Sequence, residues 1–269
     1  MNQPLANIHP GAKIGKDVII EPFVTIQEDV VIGDGCWIGP NAVILNGSRL
    51  GNQVQIHPGA VISCTPQDLK FAGEKTTVEI GDHTVIREYV TISRGTADRF
   101  LTRIGSHCLV MAYVHVAHDC LIGNHCIIAN SVQLAGHVVV DDFVVIGGTS
   151  AVHQFVRIGA HAMVSGGSLV RKDVPPFTKA GREPLSYVGV NSVGLRRRNF
   201  SNEKIEEIQE LYRVMYLEGN TYSKACEIIE LEFTPSKERD EILKFIRSSE
   251  RGIMRGYGSS NGRGSSISS

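Results

Sequence analysis

An aliphatic residue recurs at every sixth position over most of this chain. Between Ile8 and Val170, 25 of the 28 positions in this register are Ile, Leu or Val, and the misses are positions 68, 74 and 98. A period of six fits neither an amphipathic helix nor an alternating strand. It is the hexapeptide repeat of a parallel β-helix, in which three short strands close a coil of about 18 residues. We therefore predict a mainly β fold whose inward aliphatic side chains stack from coil to coil.

The three misses mark two interruptions of the repeat. The segments 63–79 and 93–103 carry them, and we expect both segments to be loops that leave the coil. Long loops on a rigid scaffold often carry function. These two segments are therefore the first places to look for residues that contact a substrate.

The period ends after Val170, and the pattern then becomes helical. The stretch "DVPPFTKAGREP" has the proline and glycine content of a linker. Ser201 is placed to cap a helix, a second helix is expected over 222–232, and Ser236 opens a third. The predicted organisation is a β-helix over 1–186, a small α-helical domain over 187–255 and a disordered tail over 256–269.

Composition narrows the possible classes of protein. Lys and Arg total 27 against 28 for Asp and Glu, so the balance does not indicate a nucleic-acid or membrane-surface partner. The N-terminus lacks the basic start and apolar run of a signal peptide, and no stretch has the length of a membrane span. Six cysteines without a CxxC pair fit a reduced, cytoplasmic setting.

Four cysteines share one position of the repeat. Each follows a periodic aliphatic residue by four places, where the repeat takes a small inward side chain, and we expect them to be core residues rather than metal ligands. They are Cys36, Cys108, Cys120 and Cys126.

The histidines of "HVAHDC" and their neighbours are the main chemical candidates. Counting by coils puts His115, His118, His137 and His153 near the same corner of three successive turns. They could be solvated corner residues, they could bind zinc, or one could be a general base. Asp119, next to His118, could orient that imidazole and favours the base. The run "LRRRN" at 195–199 is either a solvated face or a phosphate contact.

Several segments together resemble one known enzyme family. These segments are "QDLKFAGE", "VTISRGT", "HVAHDC", "LAGHV", "VDDFVVIGG", "AVHQF", "DVPP" and "GVNSVGLRRRNFS". They are similar to the UDP-N-acetylglucosamine O-acyltransferases, which begin lipid A biosynthesis, and the resemblance runs from about residue 8 to 255. It implies a left-handed coil, a homotrimer with clefts between subunits, and no metal or other cofactor.

The resemblance also implies a reaction and a role for each site residue. A 3-hydroxyacyl group would pass from acyl carrier protein to the 3-hydroxyl of UDP-N-acetylglucosamine, without an acyl-enzyme. His118 would be the general base, Asp119 would orient it, and the Gly136 N–H would stabilise the oxyanion. The implied substrate contacts are His115, His137 and His153 in the cleft, Gln154, Asn191, Arg197 and Arg198 at the nucleotide, and Gln67, Asp68 and Lys70 from the first loop. Gly166 would set the acyl length.

Three other readings make different predictions. The later N-acyltransferase of the same pathway carries an N-terminal uridine-binding domain, whereas here the repeat starts at Ile8. A zinc hydratase would need histidines that converge on one ion. A purely structural prism would keep its function when His118 is replaced.

Overall fold

A computed structural model of the chain describes residues 4–256. The first half of the coil contains these strands, labelled in chain order: β1 Asn7–Ile8, β2 Lys13–Ile14, β3 Ile19–Ile20, β4 Thr25–Ile26, β5 Val30–Ile32, β6 Trp37–Ile38, β7 Val43–Ile44, β8 Ser48–Leu50, β9 Gln55–Ile56, β10 Val61–Cys64, β11 Thr77–Ile80, β12 Val85–Ile86, β13 Thr91–Ser93 and β14 Leu101–Ile104.

The remaining strands continue the coil and then close it. They are β15 Leu109–Val110, β16 His115–Val116, β17 Leu121–Ile122, β18 Ile127–Ile128, β19 Gln133–Leu134, β20 Val139–Val140, β21 Val145–Ile146, β22 Ala151–Val152, β23 Arg157–Ile158, β24 Met163–Val164, β25 Leu169–Val170, β26 Thr178–Gly181, β27 Ser186–Val190 and β28 Arg255–Gly256.

The strands form the three walls of a prism. Sheet A runs β1-β4-β7-β10-β13-β16-β19-β22-β25, sheet B runs β2-β5-β8-β11-β14-β17-β20-β23, and sheet C runs from β3 through β24 to β26, β27 and β28. Partners within the coil are parallel, as in the pair Ile8↔Ile26. This architecture confirms the predicted parallel β-helix, and the corners between the walls are called AB, BC and CA below.

The inward aliphatic side chains explain why six-residue units fold this way. In a typical strand the first residue faces outward and the second is buried, as in β21, where Ile146 is fully buried. Every aliphatic residue of the repeat from Ile20 to Val170 is buried, whereas Ile14, near the open end, is 37% exposed. Burial of apolar surface along the prism axis therefore supplies the core. The four corner cysteines are buried and unpaired, as predicted.

Polar side chains complete the stacking at the BC corner. The Asp34 Oδ1 atom accepts a hydrogen bond from the Lys16 N–H at 2.7 Å, and the Asn52 Oδ1 atom accepts one from the Asp34 N–H at 2.9 Å. Further along the prism, Asp142 accepts from the Asn124 N–H at 2.7 Å. These bonds satisfy backbone donors that would otherwise be unpaired where one wall turns into the next.

The two loops are shorter than the sequence predicted. In an uninterrupted coil of 18 residues, Ile62 would pair with residue 80 and Ile92 with residue 110. Ile62 instead pairs with Ile92, and Ile92 pairs with Val116, so the first loop adds twelve residues to its coil and the second adds six. The expected loops 63–79 and 93–103 are corrected to 65–76 and 94–100. Their ends form strand because β11 pairs with β14 along four residues, which satisfies backbone donors and acceptors.

The predicted linker is also corrected, because it contains a strand. Strand β26 pairs in parallel with β24 and then in antiparallel fashion with β27, which extends sheet C beyond the last coil. Phe177 and Ala180 are buried there. The expected boundary at residue 186 falls inside this hairpin, at the first residue of β27.

Four helices follow the hairpin within the described residues. They are α1 Ser192–Arg197, α2 Asn202–Tyr216, α3 Tyr222–Glu232 and α4 Lys237–Arg247. The last three were predicted, and Ser201 and Ser236 cap α2 and α4 as expected. The sequence did not predict α1. Of the expected tail 256–269, only Gly256 lies within the described residues, and it belongs to β28.

A column of aromatic rings runs along the BC corner. Neighbouring rings stack with centroids 4.7 to 5.5 Å apart, and each residue has a positive φ of 56° to 63°. The members are His83, His107, His125, Phe143, His161 and Phe177. The sequence did not predict this second group of histidines, because its members are far apart in the chain and meet only when the coils stack.

His161 stacks between Phe143 and Phe177 in this column. Its Nδ1 atom is buried without a hydrogen-bond partner. Burial, with a further contribution from the Arg198 charge, lowers the pKa of His161 to about 4. The folded protein therefore keeps this imidazole neutral in a pH range where an exposed histidine takes up a proton.

We predict that His161→Phe makes stability less sensitive to acid. As pH falls from 6.5 toward 4, unfolded chains bind a proton at His161 that folded chains do not, so the free energy of unfolding decreases. Phenylalanine keeps a ring in the column and removes the titration. Urea unfolding at pH 7 and pH 5 should show a smaller loss for the variant, and equal losses would contradict this account.

Candidate active site

The AB corner brings the first group of predicted residues together. His118 and Asp119 follow β16, Gly136 and His137 follow β19 in the next coil, and Gln154 follows β22 in the coil after that. Turns of equal shape are stacked by the ladder β16-β19-β22. Side chains far apart in the sequence therefore meet at one edge of the prism.

Asp119 is the most enclosed polar residue of this corner. It is fully buried, with a left-handed φ of 60°. Its Oδ1 atom accepts hydrogen bonds from the Thr96 N–H at 3.0 Å and the Arg99 N–H at 3.2 Å. Its Oδ2 atom lies 2.6 Å from the Thr96 hydroxyl and 2.8 Å from His118 Nδ1. Four donors thus surround one carboxylate.

These donors keep Asp119 ionised despite its burial. Burial alone would raise the pKa of this carboxyl, but hydrogen bonds from the Thr96 side chain, from His118 and from the Thr96 backbone outweigh it and hold the pKa below its ordinary value. An ionised carboxylate can only accept hydrogen bonds. The contact with His118 therefore requires a proton on Nδ1 of the imidazole.

The tautomer of His118 follows from this contact. When the neutral ring carries its proton on Nδ1, the Nε2 atom presents a lone pair. Nε2 lies 4.0 Å from the Asp68 Oδ2 atom, which the first loop brings to the site. His118 is 8% exposed, so it is sheltered but open to a ligand on one side. Such an arrangement is chemically suited to a general base that a carboxylate orients.

The imidazole of His118 packs against Gly136. A Cβ atom built on Gly136 would lie 2.7 Å from His118 Cε1 and 2.8 Å from Nε2, closer than any side chain tolerates. The ring therefore packs directly on glycine backbone. Any larger residue at position 136 would push His118 away from its observed position.

The repeat also leaves the N–H of Gly136 available. Within the described residues, Ala135 and His137 donate their N–H groups to neighbouring coils, but Gly136 has no acceptor. The same position of the six-residue unit is proline at Pro10, Pro22, Pro40 and Pro58, which have no N–H to donate. The ladder thus does not use this donor, and beside His118 it is free to bind an oxyanion.

His137 is the second imidazole of the corner. Its ring meets His118 edge-on with centroids 5.1 Å apart and stacks on Phe155 at 4.5 Å. Its Nε2 atom lies 3.9 Å from Asp119 Oδ2. Its Nδ1 atom lies 3.1 Å from Asp98 Oδ2 in an ion-pair contact, but this buried nitrogen makes no hydrogen bond.

The other two predicted histidines lie in different surroundings. His115 shares a 2.7 Å hydrogen bond between its Nδ1 atom and the Thr91 hydroxyl. Burial, and then the nearby His118, lower the pKa of His115. His153 is exposed, and its Nδ1 atom lies 3.1 Å from the carbonyl oxygen of Gln154. The predicted cluster of four is therefore a close pair, His118 and His137, with two outlying members.

The first loop carries three of the predicted substrate contacts, and Asp68 is the one that lies close to His118. Gln67 and Lys70 are exposed, and Asp68 is half-buried. Asp68 fixes the local turn, because its Oδ1 atom accepts the Lys70 N–H at 2.9 Å. The Phe71 ring lies 5.3 Å from the Arg94 guanidinium, which ties this loop to the second one.

The predicted nucleotide contacts are divided between two corners of the same chain. Gln154 lies at the AB corner, whereas Asn191, Arg197 and Arg198 lie at the BC corner. Asn191 is buried, donates from Nδ2 to the His161 carbonyl at 2.9 Å and caps α1 through Gly194. Arg198 donates to the Phe143 carbonyl at 2.9 Å and stacks over that ring, while its buried Nη1 atom has no partner. Burial lowers the pKa of Arg198. Arg197 is exposed.

One chain therefore does not bring all the predicted residues together. The His118 group occupies the AB corner and the Asn191–Arg198 group occupies the BC corner. Gly166 lies at the CA corner, where a Cβ would be 3.2 Å from the Gly148 carbonyl oxygen.

A pocket of about 650 Å³ lies beside sheet B and α4. A pocket of about 230 Å³ reaches His137. We place the candidate active site at the AB corner because hydrogen-bond donors and acceptors converge there, whereas the volume of a pocket does not by itself indicate a function.

Three residues of the AB corner have the chemistry of metal ligands. Ligand atoms of His118, Asp119 and His137 lie within 4.8 Å of one another. However, the four donors already occupy the carboxylate of Asp119, and a metal would have to displace the proton shared with His118. The hydrogen-bonded arrangement therefore favours the base over the zinc ligand among the sequence hypotheses.

Sequence reasoning missed the residues that hold Asp119. Thr96 and Arg99 belong to the second loop, and Thr102 accepts the Asp119 N–H through its hydroxyl at 2.9 Å. The interruption of the repeat identified the loop. Nothing in the spacing indicated which loop residue would face a carboxylate 23 positions later.

Comparison with known proteins identifies the family. Residues 173–254 match the model described as "Udp N-acetylglucosamine O-acyltransferase; Domain 2". Residues 29–64 and 101–136 match "Bacterial transferase hexapeptide (six repeats)". No described helix is long and apolar enough to cross a membrane.

Individual relatives are similar to this chain along nearly its whole length. An acyl-[acyl-carrier-protein]–UDP-N-acetylglucosamine O-acyltransferase of Chlorobaculum parvum is 51% identical, over 93% of this chain and 95% of that protein. The crystal structure of a UDP-N-acetylglucosamine acyltransferase from Bacteroides fragilis is 53% identical, with a TM-score of 0.93 over 95% of this chain and 100% of that one. An Arabidopsis UDP-N-acetylglucosamine acyltransferase is 32% identical, with a TM-score of 0.83 over 95% of this chain and 100% of that one. The chain is an acyltransferase and belongs to the UDP-N-acetylglucosamine O-acyltransferase family.

Proposed function

We propose that the protein transfers a 3-hydroxyacyl group from acyl carrier protein to the 3-hydroxyl of UDP-N-acetylglucosamine, the first step of lipid A biosynthesis. Membership of the family supports the acyl carrier protein donor and the nucleotide sugar acceptor. The observation that carries the mechanism is the 2.8 Å contact between His118 Nδ1 and Asp119 Oδ2, which leaves Nε2 as a base.

Each step of the proposed reaction uses one feature of the AB corner. Nε2 of His118 takes the proton of the sugar 3-hydroxyl as its oxygen attacks the thioester carbonyl. Asp119 stabilises the imidazolium that forms. The free N–H of Gly136 binds the oxyanion of the tetrahedral intermediate. Collapse breaks the carbon–sulfur bond, and His118 returns the proton to the departing thiolate, so no acyl-enzyme forms.

The remaining site residues hold the substrates in this proposal. His115, His137 and His153 line the cleft, and Gln67, Asp68 and Lys70 contact the sugar, the acyl hydroxyl or a phosphate. Gln154, Asn191, Arg197 and Arg198 hold the nucleotide end, where exposed or unpartnered guanidinium donors suit a diphosphate. Gly166 leaves room for a long acyl chain.

The separation of the two groups within one chain supports a homotrimeric enzyme. The base lies at the AB corner and the arginines lie at the BC corner. A cleft between adjacent subunits would bring the base of one copy to the arginines of another. The six unpaired cysteines fit the reducing cytoplasm, where we propose that the enzyme acts.

Product analysis tests the reaction directly. Purified, metal-free protein is incubated with UDP-N-acetylglucosamine, its 3-amino analogue and a panel of 3-hydroxyacyl carrier proteins, and the nucleotide sugar is examined by mass spectrometry. We expect a gain of one hydroxyacyl group on the N-acetylglucosamine sugar. Acylation of the amino sugar alone would contradict the proposed acceptor. Acyl transfer that appears only with added zinc would indicate that the histidines are metal ligands, which would contradict the assignment of His118 as the base.

We predict that His118→Ala lowers kcat at least about 100-fold, because a general base contributes about that much or more. His83→Ala is the matched control, since it removes an exposed histidine of the BC column. The control should stay within about threefold of wild type, and both variants should keep the wild-type circular dichroism. Turnover of the His118 variant within tenfold of wild type would contradict its assignment as the base.

We predict that Gly136→Ala lowers kcat roughly 10- to 100-fold by displacing the imidazole that packs on it. Alanine keeps the backbone N–H, so the oxyanion donor survives the change. The loss should therefore depend on His118. In a His118→Ala background the second substitution should cost less than about threefold, and fully additive losses in the double-mutant cycle would contradict this account.

A further inference from the structure

The second loop, 94–100, contacts Asp119 through the side chains of Thr96 and Arg99 and through the backbone N–H groups of the same two residues. We propose that Thr96 is a positioning residue of the reaction, which locks the Asp119 carboxylate onto His118 and keeps it from turning to His137. The inference rests on the proposed function, because it assigns a role within the same general-base machinery.

Thr96 holds both oxygens of the carboxylate. Its N–H donates to Asp119 Oδ1 at 3.0 Å and lies 3.2 Å from Oδ2, and its hydroxyl donates to Oδ2 at 2.6 Å. Thr96 is 8% exposed and Asp119 is fully buried, so water does not replace these donors readily. Two donors from one residue fix both the place and the rotation of the carboxylate plane.

The rotation matters because two imidazoles compete for one oxygen. Asp119 Oδ2 lies 2.8 Å from His118 Nδ1 and 3.9 Å from His137 Nε2. A modest turn of the carboxylate would exchange one partner for the other. If Asp119 Oδ2 accepted a hydrogen bond from His137 instead, His118 would lose the contact that fixes its proton on Nδ1. Its Nε2 atom could then carry the proton and would not be available as the base.

The loop is anchored firmly enough to act as a fixed support. The Arg94 N–H donates to the Cys64 carbonyl at 3.0 Å, and the Phe100 N–H donates to the Thr96 carbonyl at 2.8 Å. Arg99 also binds the turn that contains Asp119, because its Nη1 atom donates to the Asp119 carbonyl oxygen at 2.8 Å. A Cβ on Gly95 would lie 2.2 Å from the Leu101 nitrogen, so the chain next to Thr96 is closely packed.

Other coils show what this turn looks like without the loop. His137 and Phe155 occupy the position of Asp119 in the next two coils, and their rings stack on each other. Neither position needs a donor from outside the repeat. Six extra residues thus supply hydrogen bonds at the coil where a buried charge requires them.

Three variants test the role of the hydroxyl. Thr96→Val keeps the shape and removes the donor, Thr96→Ser keeps the donor, and Thr25→Val is the control. Thr25 lies on sheet A four strands from β16, or about 19 Å. We expect Thr96→Val to lower kcat about 10- to 100-fold, because the lost bond is to a charged group, while KM for the nucleotide sugar changes less than about threefold. Thr96→Ser and Thr25→Val should stay within about threefold of wild type in both constants.

A structural readout keeps the test independent of turnover. In a crystal structure of Thr96→Val, we expect the Asp119 carboxylate to turn and the distance from Oδ2 to His118 Nδ1 to lengthen. Thr96→Ala replaces Thr96→Val in both measurements if valine prevents folding. An unmoved carboxylate together with wild-type kcat would overturn the inference. Failure of the wild type to acylate UDP-N-acetylglucosamine would instead overturn the proposed function, and the crystal structures would still decide the role of Thr96.

Discussion

The stacking of one buried aliphatic side chain every six residues determines where everything else in this molecule lies. Each coil repeats the path of the coil below it, so a residue at one corner is carried to the same corner about 4.8 Å further along the prism. Ile92, Val116, Leu134 and Val152 occupy equivalent buried positions in sheet A. His118 and His137, which follow Val116 and Leu134, meet because these anchors are in register.

The site departs from the repeat where a charge is buried. Desolvation of a carboxylate costs several kcal/mol unless donors compensate for it. Asp119 is compensated by donors from Thr96, Arg99 and His118, which keep it ionised. The same contacts fix the His118 tautomer. The lowered pKa of Asp119 and the orientation of the His118 ring are thus consequences of one set of hydrogen bonds.

The sequence predicted features that local spacing controls. The six-residue period predicted the coil, and the capping serines predicted where α2 and α4 begin. Counting by coils also placed four histidines at one corner, and the structure brings two of them, His118 and His137, into contact. Of these four, His153 proved exposed and apart from the close pair.

The features it missed depend on long-range contacts. Thr96 faces Asp119 only because the second loop folds back over the next coil, and no local pattern encodes that return. The proline and glycine residues around Thr178–Gly181 predict a linker, yet pairing with Met163–Val164 makes this segment a strand. Neighbouring rings of the BC column are 24, 18 or 16 residues apart in the sequence, and only the stacking of the coils brings them together.

The position of one proton tests the central claim most directly. Nitrogen NMR of histidine-labelled protein, with His118→Gln to assign the signal, reports which ring nitrogen is protonated when the imidazole is neutral. The account predicts a proton on Nδ1 of His118 and a lone pair on Nε2. A proton on Nε2 would contradict it, because the nitrogen that faces the substrate side could not then act as the base.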